Sequence, residues 1–282
     1  MLRLLRPRQW TKIALLFAAL VFAEKLFVPE ALLRASLAFV CFCLAASSAY
    51  VVNDLVDAPR DREHPEKRRR PIASGEVGRG PALVLALGLT AAALALAAVL
   101  GTGFLGAVLV YLALTHFYSF VGKNVVILDA MLVSAGFVIR AVAGALAIHV
   151  PSSDWFVLCT LFLALFLALS KRRAELLRAG ETASLARPVL AAYTPGTLAM
   201  FTATSMTAAL ITYAIYVHAV LEKYPWLGLS LPFVMFGLFR YQLLVETRGL
   251  GERPEDVVFQ DRPFQLCLLG FAVVALAALY LG

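Results

Sequence analysis

The chain has 282 residues, 61% of them hydrophobic and only 15% charged, with a formal net charge of +7. A soluble domain is closer to half apolar and about a quarter charged, so the composition excludes a soluble enzyme and leaves no length for a second large soluble domain. The basic excess lies in short loops between apolar runs, which excludes nucleic acid as a partner and reads first as loop topology.

In chain order, Arg3, Arg6 and Arg8 precede the first apolar run. Val21-Phe22-Ala23 is a weak cleavage candidate, but the Pro and Trp of RPRQWTK (6–12) suit an interfacial anchor. Nine spans are expected near 11–28, 33–52, 80–100, 103–120, 127–148, 155–171, 196–220, 226–245 and 263–281, each of a length to cross about 30 Å of hydrocarbon. The expected fold is therefore all-α and integral to the membrane, with nine transmembrane helices in a single domain over 1–282. Its polar loops lie near 53–79, 121–126 and 171–195. Gly101-Thr102-Gly103, Pro151-Ser152-Ser153 and Tyr224-Pro225 mark turns. Cys41, Cys43, Cys159 and Cys267 fall in apolar segments without metal spacing and read as buried thiols. Alanine-rich runs such as 91–98 suit close helix packing; the same small residues are compatible with a homo-oligomer.

Charge sets the expected orientation. With the N-terminus in the cytoplasm, loops 53–79, 121–126, 171–195 and 246–262 fall inside. With the N-terminal segment they hold 20 of the 25 Lys and Arg. The positive-inside rule then puts the C-terminus outside and the polar loops in the cytoplasm.

The stretch 53–75, NDLVDAPRDREHPEKRRRPIASG, is the most polar in the chain. Asp54, Asp57 and Asp61 stand at i, i+3 and i+7, within about 60° of one another on a continuous helix. Pro59 is expected to end or kink the helix near Asp57, so that Asp61 folds back from a turn. Asn53, Asp54 and Asp57 close an apolar span, where a carboxylate is costly unless paired. Acidic groups beside Lys67, Arg68, Arg69 and Arg70 suit a divalent metal with a polyphosphate: Mg²⁺ takes one or two carboxylates and fills its shell with water and phosphate. Asp54 and Asp57 are the candidate metal ligands, with Asn53 adding an amide contact. His64, beside Pro65, reads as a turn residue. Arg140, well inside span five, calls for an acidic partner or a bound anion, since a lone Arg there costs about 2.5–3.5 kcal/mol. Lys171, Arg172 and Glu175 have the spacing of an intrahelical ion pair.

The pattern N-D-x-x-D-x-x-x-D at Asn53, Asp54, Asp57 and Asp61 resembles the UbiA superfamily of intramembrane prenyltransferases. RPRQWTK (6–12), HPEKRRRPIASG within 53–75, Tyr118 through Lys123 to Asp129, GFVIRAVAG (136–144) and LALSKRRAEL (167–176) resemble the decaprenyl-phosphate phosphoribosyltransferase branch; DRPFQ (261–265) is a weaker match. The resemblance implies a UbiA-like bundle in a bacterial plasma membrane, with its active site facing the cytoplasm. It implies transfer of 5-phosphoribosyl from 5-phosphoribosyl 1-pyrophosphate to a polyprenyl (decaprenyl-type) phosphate, with Mg²⁺ and release of pyrophosphate, on a route to lipid-linked arabinofuranose.

On that reading Asp54, Asp57 and Asp61 carry the chemistry, with Asp61 the carboxylate near C1 of the ribose. Lys67, Arg69, Arg70 and Arg172 suit the sugar 5-phosphate. Lys12 and Arg140, then Arg8 and Gln9, suit the lipid phosphate. Tyr118, Lys123, Lys171 and Glu175 complete the substrate-binding set. The superfamily's second acidic motif retains only Glu175 here, which weakens the first alternative, an ordinary UbiA enzyme moving a prenyl group from a diphosphate to an aromatic or other small acceptor. The second alternative, a transporter of an anionic metabolite, would favour matched broken halves that the sequence lacks.

Overall fold

The computed structural model describes residues 2–63, 67–179, 188–252 and 254–281, and every regular element among them is helical. Apart from short 3₁₀ turns, they are in order α1 (Leu2–Leu5), a long 3₁₀ helix (Pro7–Phe17), α2 (Ala18–Phe22), α3 (Pro29–Glu63), α4 (Arg79–Leu100), α5 (Thr102–Phe120), α6 (Leu128–Ala147), α7 (Asp154–Ala179), α8 (Pro195–Ala219), α9 (Leu231–Arg248), α10 (Pro254–Gln260) and α11 (Arg262–Tyr280). Eight helices among the described residues are long and apolar enough to cross a membrane. The chain is thus an all-α, multi-pass membrane protein. The expected spans from 33–52 onward each find a helix.

The expected first span, 11–28, forms no long α-helix. It is an 11-residue 3₁₀ helix followed by five residues of α. Tertiary tethers explain the winding: Trp10 Nε1 donates to Ser47 Oγ at 3.2 Å, Ser47 Oγ donates to the Leu5 carbonyl at 3.0 Å, and Ile13 and Leu16 are fully buried.

The expected break at Pro59 is also absent, and α3 runs unbroken to Glu63. Proline removes one backbone hydrogen bond and crowds the preceding turn. Packing outweighs that here: Ala58 is fully buried with Leu4, Val51, Ile72 and Val77, and ion pairs hold the carboxylates on both sides of the proline.

Two compact units divide the chain, Met1–Leu132 with Gly136–Ser152, and Val133–Ala135 with Ser153–Gly282. In the first, Phe42, Phe104, Val108 and Tyr111 form a core with Ile13, Leu16 and Leu20. Alanines 35, 38, 45, 46, 93 and 97 let α3 and α4 approach closely. Cys41 Sγ donates to the Ala93 carbonyl, and Ser48 Oγ donates to the Ala86 carbonyl at 2.9 Å. α6 meets the N-terminal 3₁₀ helix at Gly144, where a Cβ would run into the Leu16 carbonyl. Gly101, at φ 123°, is the only residue between α4 and α5. Arg34 closes the far end, donating to the last carbonyls of α4 (Leu100, 2.8 Å) and α6 (Ala147, 2.7 Å).

In the second unit, α7 and α8 pack along each other, and Phe166, Leu238, Tyr241, Leu244 and Val257 form a core. Thr194 caps α8 and Asp261 caps α11, each accepting from a backbone N–H three residues on.

Candidate active site

The most polar stretch of the sequence begins at the C-terminal end of α3. That helix has 35 residues, about 52 Å at 1.5 Å per residue. Asp54 therefore lies about 37 Å from Pro29, beyond a hydrocarbon core of about 30 Å. Because the helix does not break, Asp54, Asp57 and Asp61 share one face of it. Asp54 and Asp61 are buried, at 3% and 4% exposure, and buried carboxylates persist only when paired.

Each has its cation. Arg6 Nη2 lies 2.5 Å from Asp54 Oδ1, and Arg70 Nη1 approaches the same oxygen at 3.2 Å. Arg70 Nη1 also reaches Asp61 Oδ2 at 2.7 Å, so it bridges two carboxylates. Lys123 pairs with Asp57 Oδ1, and Asn53 Nδ2 donates to Asp57 Oδ2 at 2.9 Å.

Local sequence explains how these cations arrive. Beyond α3, a 3₁₀ turn at Lys67–Arg69 and buried Ile72 and Val77 fold the loop back over the helix end. Arg62 Nε holds that loop through the Ala73 carbonyl at 3.3 Å. Lys123 stands on a 3₁₀ turn, Gly122–Asn124, between α5 and α6, beside Asn124, which accepts from Arg60 at 3.4 Å. Arg6 takes a left-handed backbone, φ 50° and ψ 59°, with its guanidinium 5.2 Å from the centre of the Tyr50 ring.

Three carboxylates faced by three cations form a balanced cluster that can exchange partners with a metal and a phosphate. Among the described residues no three acidic, His or Cys side chains converge into a ready-made metal cage. The donor set still fits Mg²⁺, which uses one or two carboxylates and completes its shell with water and substrate phosphate.

Lys12 Nζ donates to Gln9 Oε1 at 2.7 Å in the N-terminal 3₁₀ helix. Lys67 is half-buried and Arg69 exposed on the loop beyond α3. Tyr118 is half-buried in the last turns of α5. Arg140 is 8% exposed, about 18 Å along α6 from Leu128. It donates to Tyr111 OH at 2.9 Å and lies 5.0 Å from the centres of the Tyr111 and Phe137 rings. Among the described residues it has no carboxylate partner, so of the two expected partners, an acid or a bound anion, the acid is absent and two aromatic faces and a phenol surround the guanidinium. In the second unit, Arg172 Nη1 donates to Glu175 Oε2 at 3.0 Å and Lys171 Nζ lies 3.9 Å from Glu175 Oε1. That is the intrahelical pairing their spacing implies. His64 lies outside the described residues.

Sequence reasoning counted Arg6 only as a topology charge and missed its pairing with Asp54. The residues are 48 apart, and only the RPRQWTK match pointed to that segment. It also missed Arg173, which forks onto both oxygens of Glu246 (2.5 and 2.8 Å) and donates to the Pro195 carbonyl. Asp261, in the DRPFQ stretch, accepts a fork from Arg240 at 3.1 and 2.8 Å. The Arg240 hydrogen bond holds the Asp261 carboxyl below its ordinary pKa, and the Phe264 N–H adds to that.

Comparison with known proteins bears on this geometry. The UbiA prenyltransferase family matches residues 13–255. Decaprenyl-phosphate phosphoribosyltransferase of Corynebacterium glutamicum is 36% identical over all of this chain and 87% of its own length. The enzyme of that name from Mycobacterium tuberculosis strain H37Rv is 37% identical over 99% of this chain and 93% of its own. Among solved structures, a UbiA homolog from Archaeoglobus fulgidus bound to DMAPP and Mg²⁺ superposes with a TM-score of 0.75 at 21% identity, covering 99% of this chain and 98% of that one.

Proposed function

This chain belongs to the UbiA prenyltransferase family, in its decaprenyl-phosphate phosphoribosyltransferase branch, and from that premise we infer that it is a membrane transferase moving 5-phosphoribosyl from 5-phosphoribosyl 1-pyrophosphate to a polyprenyl phosphate. The observation that carries the reading is likeness over the full chain to enzymes of that name, at 36–37% identity. The paired carboxylates at the end of α3 supply a chemistry consistent with it.

The reaction breaks the C1–O bond to pyrophosphate and forms a C1–O bond to the lipid phosphate. The attacking oxygen is already anionic, so no strong general base is required. Asp54 and Asp57 are our candidate ligands for Mg²⁺. Bound there, the metal would offset negative charge growing on the departing pyrophosphate. Asn53 fixes the Asp57 carboxylate by its hydrogen bond to one oxygen, and Lys123 pairs with the other. Asp61 offers a negative charge to an oxocarbenium-like C1, steadied by Arg70. Lys67, Arg69 and Arg70 are assigned to the sugar 5-phosphate, and Tyr118 to the donor. Lys12, with Gln9, and Arg140 are assigned to the lipid phosphate; a buried guanidinium lacking a carboxylate supports an anion there. In the second unit, Lys171, Arg172 and Glu175 are assigned to substrate binding.

The chain acts as one transmembrane domain in a bacterial plasma membrane, with nine crossings, the N-terminus and active site cytoplasmic and the C-terminus outside. Loop charge supports that orientation. The ninth crossing is the N-terminal segment: 11 residues of 3₁₀ and five of α reach about 30 Å at 2.0 and 1.5 Å per residue. Its small-residue helix faces also suit a homo-oligomer.

A membrane assay tests the reaction. Labelled 5-phosphoribosyl 1-pyrophosphate with polyprenyl phosphate should give labelled lipid that a Mg²⁺ chelator abolishes. Turnover only with a prenyl diphosphate and an aromatic acceptor would overturn the reading.

A further inference from the structure

Asp54 carries two guanidiniums on one oxygen, more than one carboxylate needs. Arg70 also holds Asp61 at 2.7 Å. Arg6 is different: among the described residues Asp54 is its one carboxylate, and its further contact is the Tyr50 ring. A divalent cation on Asp54 would repel both guanidiniums. Arg70 would keep its second carboxylate, whereas Arg6 would be left needing an anion. A pyrophosphate arriving with the metal is that anion, and its oxygens match the guanidinium fork.

The backbone is also built to aim Arg6. A non-glycine residue in the left-handed region is held there at a cost. It is followed by an 11-residue 3₁₀ helix, where runs beyond about four residues are uncommon. Buried Leu4 and the Leu5 carbonyl before Arg6, and Trp10 after it, fix this segment against α3, Leu5 and Trp10 both through Ser47.

We propose that Arg6 is a pyrophosphate-binding residue of this site, held in reserve on Asp54 and handed to the ligand when metal takes that carboxylate. The proposal rests on the function above only in requiring a pyrophosphate ester as donor, which the phosphoribosyl and prenyl readings share. It makes metal and Arg6 energetically coupled, and such coupling is reciprocal.

The test uses the full chain in lipid nanodiscs with Trp155→Phe and Trp226→Phe, leaving Trp10 as the sole tryptophan. The probe is inorganic pyrophosphate, titrated with Mg²⁺ or with chelator. With Mg²⁺, Arg6→Ala should weaken pyrophosphate binding about 10-fold or more, and the Trp10 emission change seen in the parent should vanish. With chelator, the same substitution should change affinity less than about 2-fold, because Arg6 then stays on Asp54. A loss under about 2-fold with Mg²⁺ would overturn the contact, and an equal loss in both conditions would overturn the hand-over. Arg6→Lys keeps the charge without the fork and guards against misfolding: it should weaken binding about 3-fold or more with Mg²⁺, and parent-like affinity in the folded variant would also overturn the contact. Turnover of a prenyl diphosphate but not of the phosphoribosyl donor would remove the function proposed above, and the pyrophosphate titration would still decide Arg6.

Discussion

At the scale of single residues, Asp54 and Asp57 are the sharpest point of the assignment. Each side chain is already paired, so Asp→Asn preserves shape while removing the charge a metal requires. Asp54→Asn or Asp57→Asn should cut transfer by at least about 100-fold with insertion into the membrane retained; parent-like turnover in both would remove the metal assignment. Asp261 gives a prediction of a different kind. Its folded pKa is depressed by the Arg240 hydrogen bond, so its contribution is present above the unfolded value of about 3.9 and lost as pH falls through the lower folded value. Thermal unfolding of purified protein should therefore show a Tm that drops as pH falls below about 4, and Asp261→Asn should flatten that part of the curve. The aspartates were legible because carboxylates at the end of an apolar span demand partners. Which cations answer them was not, since Arg6 and Lys123 come from 48 and 66 residues away and spacing carries no information about such pairs.

At the scale of elements, the apolar runs marked the eight long helices from α3 onward, though not the short α10, and Gly101 and the Pro151 turn fell where expected. Local rules failed at two places for one reason. Pro59 should break a helix and residues 11–28 should form one, yet α3 continues and the N-terminal segment winds as 3₁₀. In both, contacts distant in sequence override backbone preference. Gly144 is the counterpart on α6, a position without side chain because the Leu16 backbone occupies the space. Gly144→Ala should lower stability by roughly 1–3 kcal/mol through overpacking, read as a lower Tm. A larger residue there should also displace the segment that carries Arg6, so pyrophosphate affinity should fall with it.

At the scale of the whole molecule, the class was legible from composition alone, because a chain 61% apolar has no soluble solution. The proposed orientation rests on where Lys and Arg gather. A reporter active only in the cytoplasm should signal when fused to the N-terminus and stay silent at the C-terminus; the reverse pattern would overturn nine alternating crossings. The same rigid element that crosses the bilayer also carries the carboxylates. A helix about 52 Å long in a core of about 30 Å has no joint between its lipid-embedded part and its chemistry. Host lipids with shorter or longer acyl chains would change its tilt, and with it the height at which the aspartates meet a substrate whose own phosphate is pinned to the headgroup plane. Turnover in vesicles should therefore peak at one acyl-chain length and decline on either side, with the same protein, metal and substrates present throughout.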